Sequence, residues 1–209
     1  LFPAGDGDLL DLAQALFVDG VFMGKARLYT TSFFDVNRME FIKGTQSTMQ
    51  GKNASMGAIS VITKQPGDNF SFEGRAGAEL ADGGYSLDAA TNLPLSSQTS
   101  LRLAGHYNDL NGWVHNQANN HNGPEQRDLG LRATLRSRLT ETLTVTGAYQ
   151  YARNEQLGAS YSTISSTLPA VYGSGKLGGD VIQKSKGSPT GDTYHDTKSH
   201  VASLKAELE

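Results

Sequence analysis

From Phe70 onward the chain alternates apolar and polar residues with a period of two, and it keeps that period wherever it is not loop. Phe70, Phe72, Gly74, Ala76, Ala78 and Leu80 fall on one face, opposite Ser71, Glu73, Arg75 and Glu79. Further on, Leu101, Leu103, Gly105 and Tyr107 oppose Arg102 and His106, and Leu129, Leu131, Ala133 and Leu135 oppose Arg132, Thr134, Arg136 and Arg138. The pattern predicts adjacent antiparallel strands over residues 70–80, 85–93, 99–107, 129–139, 142–152 and 199–208. Each is about 9–11 residues long, which lets a tilted strand cross a bilayer, and the polar faces carry full charges. A charge is then expected to cost stability at Leu131 or Leu204, on the apolar face, and to be tolerated at Thr134 or Ser203.

Periodicity by itself serves a lipid-facing barrel and a water-soluble sandwich equally well. The connections separate them. Ala81 to Gly84 and Pro94 to Gln98 are short, Asn108 to Asp128 is long, Thr140-Glu141 is tight, and Arg153 to Lys198 is very long. With the first strand rising outward, both long connections fall on one side and both turns of the other side are short, which is the asymmetry of outer-membrane barrels. A structureless connection as long as the last one argues against a compact soluble domain.

Residues 1–66 have a different character. Ala15-Leu16-Phe17-Val18 runs into an Asp19-Gly20 turn, Met39 to Ile42 is a second short strand, and Ala58 to Thr63 is a third, closed by Lys64-Gln65-Pro66-Gly67. This is expected to be a small α/β or mainly β unit.

Composition narrows the class without naming it. Of 209 residues 37% are hydrophobic, and no stretch reaches the roughly 18 apolar residues of a membrane helix. A helical membrane protein is therefore excluded, whereas alternating strands average to a polar composition. The 24 glycines favour a turn-rich β protein. A net charge of −3, with 18 scattered Lys and Arg residues, indicates no nucleic-acid partner. Absence of cysteine removes disulfides, thiolate nucleophiles and Cys-ligated metals. The chain opens Leu1-Phe2-Pro3 without an export signal and stops at Glu209 inside an alternating pattern, so both ends read as internal.

Candidate chemistry is sparse. Gly44, Gly51 and Lys52 have the wrong spacing for a phosphate-binding loop, and Asn53 stands where Ser or Thr should bind magnesium. Asp6, Asp8 and Asp11 lack the distal Glu of a calcium loop. His106, His115, His121, His195 and His200 never share a helix face, so the reading is polar surface rather than a metal site. No Ser-His-Asp or paired-carboxylate constellation can be placed by spacing, and the expectation is neither an enzyme nor a cofactor protein.

Four blocks between Phe17 and Pro66 bear a family resemblance. Phe17-Val18-Asp19-Gly20-Val21-Phe22-Met23-Gly24 resembles "VDGVY.G", Val36 to Gly44 resembles "IERVEVLRGP", Gln46 to Gly51 resembles "QSTLYG", and Lys52 to Pro66 resembles "RNAIGGAINIITKRP". Their order and spacing are similar to the plug of TonB-dependent outer-membrane receptors. The departures are Lys43 for Arg, Thr45 for Pro and Gln50 for Tyr; the usual Arg pairs with glutamates of the barrel wall, and Lys keeps the charge without the fork.

The resemblance implies a mainly β chain: residues 1–66 are the C-terminal part of an α/β plug domain, and residues 67–209 are about six antiparallel strands of a transmembrane β-barrel that has about 22 in such transporters. It also implies residence in the outer membrane of a Gram-negative bacterium. Transport of a scarce nutrient follows, most readily a ferric siderophore, driven by the TonB complex through an N-terminal segment that this chain does not carry. Cobalamin, an oligosaccharide or another small organic cargo would use the same fold, and a soluble β-rich protein is the rival class. In ferrichrome-type receptors an aromatic residue shortly after the "DG" turn contacts the siderophore. Arg27 and Tyr29 stand at nearly the same offset, so they are expected to bind ligand. Trp113, the only tryptophan, is either a further ligand contact or an interfacial belt residue.

Overall fold

The computed structural model describes residues 15–23, 33–44, 57–80, 83–112, 114–116, 121–123, 125–157 and 194–208. The described residues contain twelve strands and no helix: β1(Ala15–Val18), β2(Val21–Phe22), β3(Val36–Lys43), β4(Gly57–Thr63), β5(Ser71–Glu79), β6(Gly84–Pro94), β7(Thr99–Leu110), β8(Val114–Asn116), β9(His121–Gly123), β10(Glu125–Arg138), β11(Leu143–Leu157) and β12(Tyr194–Leu208).

The first four make a small mixed sheet in the order β2-β1-β4-β3, with β1 parallel to β4 and the other neighbours antiparallel. Asp19 and Gly20 connect β1 to β2 at φ 49° and 84°, the positive values of a type I′ connection between two strands. Gly57 opens β4 at φ 135°, and a Cβ there would collide with the Ile42 carbonyl oxygen, so only glycine lets β3 and β4 approach.

The other sheet has six antiparallel strands in the order β12-β11-β10-β7-β6-β5, with β8 and β9 forming a separate hairpin inside the β7–β10 connection. All six predicted strands are present and adjacent, but β10, β11 and β12 run 14, 15 and 15 residues, beyond the expected lengths. The extra residues lie at the end carrying the long connections, where both faces are polar and alternation gives no signal. Backbone pairing continues there, accompanied by cross-strand ion pairs such as Arg127–Asp109 and Arg153–Asp196.

Burial is inverted relative to a soluble sandwich. On the outward face Leu131 is 48% and Leu204 79% exposed, while on the inward face Arg102 and Arg132 are each 5% exposed. Thr134, expected to tolerate a charge, is buried on the inward face, so only Ser203 keeps that expectation. The small sheet lies against this polar face: its core of Leu16, Val18, Met23 and Val61 packs on Val201 of β12. Phe34, just before β3, packs on Ala90 of β6 and Ala104 of β7.

Candidate functional site

The seam between the sheets concentrates the buried polar chemistry of the described residues, and it is built around two consecutive side chains. Phe34 and Asp35 precede β3, with Asp35 at φ 53°. This left-handed conformation is one that Asp tolerates better than most residues. It sets the ring and the carboxylate side by side against the wall.

Phe34 enters a socket formed by three adjacent strands. Small residues make the room: Ala90, Ala104 and Gly130 lie under the ring, and a Cβ added at Gly130 would stand 2.7 Å from a ring carbon. The Arg132 guanidinium lies 4.4 Å from the ring centroid, and Arg132 Nη1 also donates to the Phe34 carbonyl at 3.1 Å. Nε and Nη2 of Arg132 donate to Gln150 Oε1 at 3.0 and 2.7 Å. A guanidinium so enclosed is tolerated because its donors are engaged and its face meets a π system. His106 stacks on Phe34 at 6.1 Å and contacts Asp88 through Nδ1 at 2.7 Å.

Asp35 makes the strongest polar contact of the seam. Arg102 donates from Nε to Oδ2 at 2.7 Å and from Nη2 to Oδ1 at 2.5 Å, and both side chains are almost wholly buried. A bidentate, charge-assisted pair fixes orientation as well as distance. Arg102 also lies 3.4 Å from Glu73 of β5, whose other oxygen accepts from Lys64 at 2.5 Å. A continuous ionic chain, Asp35–Arg102–Glu73–Lys64, therefore ties the small sheet to the wall. Beside it Asn92 accepts from the Gly67 amide at 2.9 Å and donates to the carbonyls of Gly67 and Asn69. Within the small sheet, Asp19 accepts from the amide and hydroxyl of buried Thr63 at 2.9 and 2.7 Å, stapling the β1–β2 turn to the end of β4.

This geometry holds rather than reacts: Asp35, Arg102, Glu73 and Lys64 are paired, Arg132 is engaged by Gln150 and the Phe34 carbonyl, and the ring is enclosed. Among the described residues no group of three or more His, Asp or Glu side chains could hold a metal. The expected ligand residues Arg27, Tyr29 and Trp113 lie outside the described residues. Lys43 is exposed against the six described wall strands. The principal charge pair of the seam puts the carboxylate on the small sheet and the guanidinium on the wall, and among the described residues Lys64–Glu73 has the opposite polarity. Sequence reading placed Arg102 and Arg132 on the polar face but missed Phe34, Asp35 and Gly130. The available signal was the arginines themselves, since buried guanidinium groups require partners.

No protein-family model matches the chain. Solved structures do. The ferric yersiniabactin uptake receptor FyuA from Yersinia pestis aligns at a TM-score of 0.71 and 19% identity over 94% of this chain and 29% of the receptor. The ferric-catecholate import receptor Fiu from E. coli K12 aligns at 0.68 and 18% over 93% and 29%. The siderophore receptor PiuA from Acinetobacter baumannii aligns at 0.55 and 21% over 70% and 19%. At these identities the likeness is one of fold: the chain has the plug-and-barrel fold of TonB-dependent siderophore receptors, with the barrel not closed. Each of the three is a receptor. The chain spans 19–29% of their lengths.

Proposed function

We propose that this chain belongs to an outer-membrane transporter that captures a ferric siderophore at the cell surface and releases it to the periplasm when the TonB complex acts on its plug. In this reading residues 1–66 are plug and residues 67–209 are barrel wall in contact with outer-membrane lipid. The observation that carries it is the inverted large sheet: apolar side chains face out, charged side chains face in, and a separate sheet is seated on the charged face. A barrel that lipid surrounds and a plug fills needs that inversion, whereas a water-soluble sandwich needs its opposite. The receptors of like fold support siderophore cargo. Sequence resemblance supports Arg27 and Tyr29 as cargo contacts on a loop facing the extracellular vestibule, with Trp113 as a third.

The test is growth of a siderophore-receptor-deficient strain under iron limitation, complemented with the full-length gene and supplied with a panel of ferric siderophores. Growth on at least one of them, lost on deleting TonB, is the expected result. Outer-membrane fractionation without rescue by any siderophore, but with TonB-dependent uptake of cobalamin or a sugar, would keep the fold and replace the cargo. In the rescued strain, alanine at Arg27 and Tyr29 is expected to weaken binding by about 1–3 kcal/mol each, roughly ten- to a hundredfold apiece. Unchanged equilibrium binding in the double variant returns both residues to ordinary plug packing.

A further inference from the structure

The outward face of the large sheet changes chemistry with height. On β11 no described outward residue from Leu143 to Tyr151 carries a formal charge, and on β12 none does from Leu208 to Ala202. The first formally charged outward residues are Asp109 on β7, Arg127 on β10, Arg153 on β11 and Lys198 on β12. They are joined across strands. Arg127 is 3.2 Å from Asp109, Arg153 meets Asp196 through two nitrogens at 3.0 Å, and Lys198 is 3.6 Å from Asp196.

Directly beneath this belt, or in Tyr85's case level with Asp109, lie amphipathic rings on the same face. Tyr149 and His200 share a 2.7 Å hydrogen bond, Tyr151 stands 5.0 Å from His200, and Tyr85 lies 5.7 Å from Tyr107. Such rings, with an apolar body and a polar tip, suit the level where hydrocarbon gives way to headgroups. Distance agrees with chemistry. Arg153 lies ten residues beyond Leu143 on β11. At a rise of about 3.3 Å per residue and a tilt of about 40° that is roughly 25 Å, the height of the apolar band of outer-membrane barrels.

The belt also runs obliquely. Arg127 pairs in register with Glu155, whereas Arg153 pairs with Leu129, so the first charge falls one outward row lower on β11 than on β10. A flat boundary cutting tilted strands crosses the cross-strand rows in this way.

We propose that the outer lipid–water boundary crosses the wall just above Tyr107, Leu129, Tyr151 and His200, with lipid headgroups meeting Arg127, Arg153 and Lys198. The upper ends of β7, β10, β11 and β12 then stand clear of the membrane as a water-exposed rim. This assignment rests on the transporter reading and accounts for the strand length beyond what a bilayer requires. It places Leu157, on the outward face of β11, in water despite its apolar side chain.

The full-length protein is reconstituted in bilayers with one nitroxide label at a time, at Val145→Cys, Ala202→Cys or Leu157→Cys; the chain has no cysteine of its own. Relaxation by oxygen is compared with relaxation by a water-soluble nickel chelate. The logarithm of their ratio is expected to change sign between Ala202, in lipid, and Leu157, in water. An oxygen-dominated label at Leu157, or a nickel-dominated label at Ala202, overturns the boundary while leaving a lipid-facing Val145 to support the barrel. A nickel-dominated label at Val145 removes the boundary and the transporter reading together.

Discussion

The two faces of the six-stranded sheet obey the same rule with opposite outcomes. Inward, Arg102 and Arg132 are buried; outward, Leu131, Leu135 and Leu204 stand exposed. Each face is stable only with the partner that suits it. The inward face is satisfied by Asp35, Phe34 and Gln150 of the seam, and the outward face by an apolar medium. Burial and polarity are therefore separable: what decides a position is whether its neighbour can answer its chemistry.

Removing one partner on the inward face is expected to have the largest effect. Asp35→Ala leaves the Arg102 guanidinium buried beside Glu73 alone and is expected to cost about 3–5 kcal/mol of plug seating. Hydrogen exchange of β3 in the full-length protein reads that loss. The Asp35→Ala, Arg102→Met pair should recover much of it, and wild-type exchange in the single variant would show that the ion pair does not hold the plug.

On the outward face, Leu131→Arg is expected to lower the denaturant midpoint in lipid by the equivalent of about 2–4 kcal/mol if the site is near mid-membrane. Ser203→Arg, on the inward face, should cost under about 1 kcal/mol. Equal losses would mean that the faces are misassigned. Next in size is the socket: Gly130→Ala drives a methyl group into the Phe34 ring and is expected to cost about 1–3 kcal/mol. Its cost should shrink in a Phe34→Leu background, so strictly additive effects in a double-mutant cycle would contradict contact between the two. Smallest is Arg38→Ala, which breaks an exposed 2.8 Å pair with Glu40 and should change stability by at most about 1 kcal/mol. A larger loss on thermal unfolding would mean that β3 has a partner beyond that pair.

Legibility in the sequence followed the range of the interactions. Strand existence, order and face came from alternation of the type seen at Leu129 to Leu135, because side chains on a strand switch face at every residue whatever lies far away. Strand ends were less legible. At Asn154, Glu155 and Gln156 both faces are polar, so the β11–β12 ladder continues without a signal in the pattern. The turn at Asp19-Gly20 was readable because its positive φ values suit those two residues.

The seam was not readable in the same way. Asp35 and Arg102 are 67 residues apart, and Phe34 lies 98 residues from Arg132. Nothing in local propensity singles out Gly130 from the other glycines as the one that admits a ring. By itself the sequence determined a β chain with one charged and one apolar face, since that outcome depends only on neighbours two residues apart. Tertiary structure alone decided which charges meet, that Asp35 is seated on the wall, and how far the strands rise. Those outcomes depend on which strands come side by side and on what fills the space between two sheets, where a buried charge persists only if a partner from elsewhere in the chain arrives to meet it.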